Sequence, residues 1–172
     1  MTWQEQYQHL RQALTAAHEP SEAEAMAALV VEHVAKKKLH HIKQENISVE
    51  ETQQIDRILQ QLLTHRPLQY VLNEAWFYGL KFEVNESVLI PRPETEELVS
   101  LILAEGKGKR EKGNVRILDI GTGSGCIPIA LKKNLPEAEV YAIDVSEKAL
   151  ATATKNAELN EVAVHFSMKD IL

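Results

Sequence analysis

The chain has 172 residues, 19 basic and 25 acidic, for a formal net charge of −6. Its 44% apolar content is too high for wholesale disorder, and no run approaches the roughly 18 apolar residues of a membrane span. The acidic balance counts against a protein that coats nucleic acid, and the single Cys126 excludes an internal disulfide and a cysteine-based zinc site.

The opening Met1-Thr2-Trp3-Gln4-Glu5-Gln6-Tyr7 lacks the charged-then-apolar order of a signal peptide, so a cytoplasmic protein is expected. Trp3, Tyr7, Leu10 and Leu14 recur on one face of a helix. Glu19-Pro20-Ser21 interrupts it, and Ser21 with Glu24 forms a capping-box pattern that opens a second helix. Ala23, Met26, Val30 and Val34 line that helix, which runs into Lys36-Lys37-Lys38, where positive charge suits a C-terminus. A second box, Ser48 with Glu51, predicts a helix carrying Ile55, Ile58, Leu59, Leu62 and Leu63. Pro67 suits the first position of one more short helix. Residues 1–73 therefore read as a helical bundle, a scaffold or substrate-docking domain. His9, His18, His33, His40 and His41 lie in it. Adjacent helical residues such as His40 and His41 point about 100° apart and are poor joint ligands, so no metal site is expected.

Residues 74–113 differ in texture. Trp76 to Phe82 is aromatic and extended, Asn85 marks a turn, and Val88-Leu89-Ile90 is β-branched and apolar, which reads as a β-hairpin. Pro91-Arg92-Pro93-Glu94-Thr95-Glu96-Glu97 makes a rigid exit, and Pro93 starts a helix whose Leu98, Leu101 and Ile102 are expected to face a core. Phe77, Tyr78, Arg92, Pro93 and Thr95 are candidates for a pocket wall or a hinge, Arg92 being read first as a hinge residue. A flexible basic loop over Gly106 to Gly113 closes the segment.

Residues 114–172 carry the chemistry. Val115 to Ile120 is a short apolar strand that runs into Gly121-Thr122-Gly123-Ser124-Gly125. Cys126 to Leu135 reads as a helix, with Pro128 tolerated in its first turn. Glu139 to Asp144 is a second strand, Ser146 caps a second helix carrying Ala149, Leu150, Ala153 and Ala157, and Val162 to Phe166 is a third strand. This β-α-β-α-β order opens a doubly wound α/β sheet. Asp119, Asp144 and Asp170 fall 25 and 26 residues apart, at or next to three successive strand ends, the edge where such sheets bind ligands. Glycines let the backbone turn and approach a ligand, and the following helix N-terminus offers N–H groups and partial positive charge. Asp144 lies 19 residues beyond Gly125, which suits a carboxylate that accepts ribose hydroxyl protons. The loop is not a dinucleotide fingerprint, because its third glycine comes one place early and position 126 is Cys.

The pattern Asp119-x-Gly121-x-Gly123-x-Gly125 resembles motif I of S-adenosylmethionine methyltransferases. That resemblance implies S-adenosyl-L-methionine as cofactor, held by Asp119, Gly121, Thr122, Gly123, Ser124 and Gly125. It implies that Asp144 takes the ribose, and that Asp170 and Ile171 flank the adenine. With motif I in place, Pro67-Leu68-Gln69-Tyr70, Phe77-Tyr78-Gly79 and Ile90-Pro91-Arg92-Pro93-Glu94-Thr95-Glu96 resemble the HemK/PrmC family, the peptide chain release factor N5-glutamine methyltransferases. Asn73 stands where that family usually has Gly, so a different bend is expected before the hairpin.

The resemblance implies methylation of the glutamine amide nitrogen in a release factor's Gly-Gly-Gln loop, with the release factor as protein partner and neither nucleic acid nor membrane engaged directly. The family's catalytic Asn-Pro-Pro-Tyr motif is absent from these residues. No catalytic residue is therefore assigned, and the chain is expected to be an inert N-terminal fragment of a Rossmann-like enzyme, its first strand's outer edge open to self-association. The alternatives are a nucleic-acid adenine N6-methyltransferase, which shares the Asn-Pro-Pro-Tyr logic, and a non-catalytic docking fragment.

Overall fold

The computed structural model describes residues 1–108 and 115–171, with the side chains of 106–108 left aside. It divides into two compact units, Met1–Leu72 and Asn73–Leu172.

The first unit is helical: α1 Trp3–Leu14, α2 Pro20–Ala35, α3 Leu39–Ile42, α4 Val49–Leu62 and α5 Leu68–Leu72. The stripes predicted from periodicity form its core, with Trp3, Tyr7, Leu10 and Leu14 buried among Ala23, Met26, Val30, Val34, Ile55, Ile58, Leu59 and Leu62. Ser48 Oγ accepts from the Glu51 N–H at 3.1 Å, and the Glu51 carboxylate accepts from the Ser48 N–H at 2.9 Å. The same box forms between Thr2 and Glu5, where it was not foreseen. The box expected at Ser21 and Glu24 does not form. Pro20 takes the first helical position and Glu19 the cap, so Ser21 lies inside the first turn. Ser48→Ala should therefore lower stability by about 1 kcal/mol. Ser21→Ala should leave the melting temperature near that of the wild type, and thermal unfolding of both variants by far-ultraviolet dichroism checks the contrast.

The second unit opens on Asn73 at φ 52°, a left-handed conformation that asparagine tolerates better than most side chains. An antiparallel hairpin follows, β1 Glu74–Phe77 and β2 Leu80–Glu83, in the register Phe77↔Leu80 and Ala75↔Phe82. Its turn is Tyr78-Gly79, both at positive φ as a type I′ turn requires, and not the segment around Asn85. The turn signal at Asn85 is real but serves the next bend, where its carboxamide oxygen accepts from the Ser87 N–H at 2.9 Å and its carbonyl from the Val88 N–H at 3.1 Å. Val88-Leu89-Ile90 is accordingly loop, not strand.

Helix α6 spans Glu94–Gly108, so the loop expected from Gly106 begins inside a helix, and residues 109–113 of that loop lie outside the described residues. Its buried positions are Val99 and Leu103, whereas Leu98 and Leu101 are exposed. The expected core face was thus turned by about one residue, because the two stripes are equally apolar in composition and only the packing against the rest of the unit selects one.

Strands β3 Arg116–Ile120, β4 Glu139–Asp144 and β5 His165–Met168 form a parallel sheet in the order β3-β4-β5. Among the described residues β3 has a strand neighbour on one side only. Helices α7 Cys126–Asn134 and α8 Glu147–Leu159 provide the crossovers. The third strand starts three residues later than expected, since the Val162 N–H donates to the Ala157 carbonyl in the turn that leaves α8. Ser146 caps α8 as foreseen, its hydroxyl accepting from the Ala149 N–H at 3.2 Å. Among the described residues no helix is long and apolar enough to cross a membrane.

Candidate functional site: the glycine loop at the sheet edge

Strand β3 delivers the chain to Gly121, and the loop to Gly125 turns it back into α7. Gly121, Gly123 and Gly125 sit at φ 77°, 54° and 78°, a region that glycine enters without steric cost. The Gly121 and Thr122 N–H groups both donate to the Ile143 carbonyl at 2.8 and 3.1 Å, which sews the loop to β4. The Gly125 N–H donates to the Thr122 carbonyl at 2.9 Å, closing the turn. The glycines have two different neighbourhoods. Among the described residues, a Cβ added at Gly121 or Gly123 would meet nothing within 4 Å, whereas one at Gly125 would lie 3.0 Å from both Ala153 Cβ and Ile129 Cδ1. The first two leave open space over the backbone, and the third lets α8 pack against the start of α7.

Asp144, the last residue of β4, faces the loop. Its carboxylate accepts from the Gly123 N–H at 2.9 Å and, through its other oxygen, from the Ser146 N–H at 2.9 Å. The residue thus ties the loop to the entry of α8, and each oxygen keeps lone-pair capacity for another donor. Among the described residues, neither the buried Oδ2 of Asp119, second from the end of β3, nor the buried Thr122 hydroxyl has a hydrogen-bond partner. Burial pushes the Asp119 carboxyl above the usual carboxylate range, and the Asp144 charge adds to this, while the neighbouring Thr122 hydroxyl opposes it. A carboxyl whose folded value is raised stabilises most while protonated. That contribution is whole below the ordinary aspartate range and is lost as pH rises through the raised folded value. The melting temperature of the wild type should therefore fall relative to an Asp119→Asn variant as pH rises from strongly acidic toward neutral. Parallel melts across that range check the sign.

Asp170 and Ile171 lie just past β5, both exposed, so the three aspartates share one end of the parallel sheet. Thr122 and Ser124 are buried within the loop. The candidates before the sheet are placed elsewhere. Phe77 is a core side chain, edge-on to Phe82 at 6.2 Å between ring centroids. Tyr78 docks on α6, its N–H donating to the Glu96 carboxylate at 2.7 Å and its hydroxyl lying 3.3 Å from that of Ser100. Arg92 and Pro93 are exposed, and their carbonyls accept the Thr95 and Glu96 N–H groups at the start of α6. Thr95 is half-buried there. Among the described residues no group of three His, Cys, Asp or Glu side chains could hold a metal ion.

Residues 5–72 match the PrmC N-terminal domain and residues 98–172 the Methyltransferase small domain. A release factor glutamine methyltransferase of Flavobacterium psychrophilum is 48% identical over 169 residues, which is 94% of this chain and 58% of that protein. The chain is thus similar to the HemK/PrmC family over most of its length. A second relative of the same name, from Streptococcus pneumoniae, is 46% identical over 75% of this chain and 45% of its own length. The chain spans about half the length of the curated relatives it matches. In this chain α6, α7 and α8 with the β3-β4-β5 sheet form the first part of a Rossmann-like methyltransferase fold.

Two kinds of residue behind the loop escaped the sequence reading. Glu96 lies in the first turn of α6, yet its carboxylate reaches the N–H of Tyr78 eighteen positions earlier. Thr152 and Asn156 of α8 and Asn160 at its C-cap recur every four residues, beside the Ala149, Ala153 and Ala157 stripe, and all three are buried. That spacing of polar side chains next to an apolar stripe is the signal that could have marked them. Asn160 Nδ2 donates to the Lys81 carbonyl of β2 at 2.9 Å, and Asn85 Nδ2 to the Thr152 hydroxyl at 3.1 Å.

Proposed function

We propose that these residues form the cofactor-binding part of an enzyme that methylates the glutamine amide nitrogen in the Gly-Gly-Gln loop of peptide chain release factors in the cytoplasm. The observation that carries the reading is the meeting of the Gly121–Gly125 loop with Asp144 at the carboxyl edge of β3 and β4. Relatives named release factor glutamine methyltransferase, 46–48% identical, support the substrate.

The residues fit S-adenosyl-L-methionine. Gly121 and Gly123 leave the backbone open to its methionine and ribose end. The unpartnered oxygen of Asp119 suits a hydrogen-bond donor on that ligand. Asp144, already fixed by two N–H groups, has lone pairs left for the ribose hydroxyl protons. Asp170 and Ile171 border the position proposed for the adenine. When bound, the cofactor supplies a methyl group activated by attachment to a positively charged sulfur. An amide nitrogen is a poor nucleophile, since its lone pair is delocalised into the carbonyl, so the reaction depends on positioning, which can contribute roughly 7–11 kcal/mol.

In the family an Asn-Pro-Pro-Tyr motif holds the amide, and these 172 residues contain no such sequence. The proposal is therefore that the chain binds cofactor without transferring methyl by itself, and that its helical unit, residues 1–73, docks the release factor. Calorimetric titration with S-adenosylmethionine and, separately, with NAD tests the cofactor. Binding of the first alone supports the reading, and preference for NAD overturns it. Methyl transfer to a Gly-Gly-Gln peptide by the 172-residue chain would overturn its inertness.

A further inference from the structure

Asn156 is wholly buried in α8 and makes three hydrogen bonds through its side chain. Its Oδ1 accepts from the Glu83 N–H of β2 at 2.6 Å, and its Nδ2 donates to the Glu83 carbonyl at 2.9 Å and to the Ser124 carbonyl at 2.9 Å. A carboxamide has one acceptor and two donor hydrogens, so one side chain occupies both main-chain groups of Glu83 as a neighbouring strand would, and spends its remaining hydrogen on the glycine loop. Ser124 follows Gly123, whose N–H is held by Asp144. The loop is thus gripped at consecutive residues, from its donor side by the end of β4 and from its acceptor side by the middle of α8.

From this geometry we infer that Asn156 is a positioning residue: it locks the glycine loop and the hairpin strand β2 into one rigid body and holds the loop backbone in its ligand-ready form. The consequence for cofactor affinity rests on the methyltransferase reading above, while the locking itself does not. Asn160 supplies an internal comparison. It is a buried asparagine one turn later, at the C-cap of the same helix, and also bonds β2, through the Lys81 carbonyl, but its side-chain bonds do not include the loop.

The test uses the 172-residue chain. Asn156→Asp keeps the shape and the acceptor for the Glu83 N–H but replaces both donors with an oxygen that faces two carbonyls. Amide hydrogen exchange is followed at Gly123 and Gly125, together with S-adenosylmethionine affinity and melting temperature. The expected result is exchange at least tenfold faster at those amides and affinity at least tenfold weaker in Asn156→Asp. Asn160→Ala should lower the melting temperature while leaving both readouts within about twofold. Equal loop exchange in the two variants would overturn the inference and reduce Asn156 to a packing residue. Should the wild type bind no S-adenosylmethionine, the cofactor reading falls while the exchange result still decides the role of Asn156. Should Asn156→Asp fail to fold, the side-chain amide protons of Asn156 in the ¹⁵N-labelled wild type decide it. Slow exchange of both supports two simultaneous bonds, and exchange of either at the free-amide rate overturns them.

Discussion

Replacing Asp144 with alanine should weaken S-adenosylmethionine binding at least tenfold and cost about 2 kcal/mol of stability. The two effects have separate sources. Stability falls because the Gly123 and Ser146 N–H groups lose a charged acceptor, and bonds of that kind contribute about 1.5–3 kcal/mol. Affinity falls further because the same carboxylate is the proposed acceptor for the ribose hydroxyls, and because a loop released from Gly123 must be reordered on binding. Asp144→Asn separates them. Its amide oxygen can still serve one N–H, so stability should recover in part while the affinity stays low, as the amide group turns a donor toward the other N–H. Calorimetry beside thermal melts reads both quantities. An Asp144→Ala variant that binds as tightly as the wild type would remove this residue from the cofactor site.

The second large effect is expected at Gly125. Gly125→Val should destabilise the chain by about 4 kcal/mol. Holding a β-branched residue at φ 78° costs roughly 1–3 kcal/mol. Forcing its Cβ against Ala153 and Ile129, 3.0 Å away, costs a similar 1–3 kcal/mol of overpacking. Gly121→Ala makes the contrast. Its φ is nearly the same at 77°, yet its Cβ would enter open space, so the strain stands alone at about 1 kcal/mol. The Gly121 variant should fold and lose cofactor affinity, whereas the Gly125 variant should lose the fold of α7 against α8. Denaturant melts of both variants rank the two costs, and equal destabilisation would contradict the distinct neighbourhoods of the two glycines.

These contrasts mark where the sequence was legible. Helix stripes in the first unit were readable because burial in a bundle follows the 3.6-residue period directly, and Ser48 with Glu51 capped as their spacing implied. Ser21 with Glu24 carried the same pattern and failed, because Pro20 pre-empted the first helical position. A local motif is decided by its neighbour even before tertiary contacts act. That this region forms a hairpin was legible, but its turn and its second strand were not. Asn85 is the commoner turn residue, yet Tyr78-Gly79 is where two strands of matching length can pair, with Phe77 and Phe82 both packed inward. The face of α6 was misread for a related reason, since Leu98, Val99, Leu101 and Leu103 offer two stripes and packing chose Val99 and Leu103.

What the sequence determined by itself was the βαβαβ order, the glycine loop and the family resemblance. Strand and helix periods, the need for glycine at positive φ and the spacing of the aspartates are all local along the chain or repeat with it. What only the tertiary structure decided was how the loop is held. Asp144 meets Gly123 across 21 residues, Asn156 meets Ser124 across 32 and Glu83 across 73. A buried amide reads in sequence as any polar residue on a helix, and its partners are main-chain groups that no residue type announces. The energetic demand that every buried donor and acceptor be paired becomes visible once the strand, the loop and the helix occupy the same space.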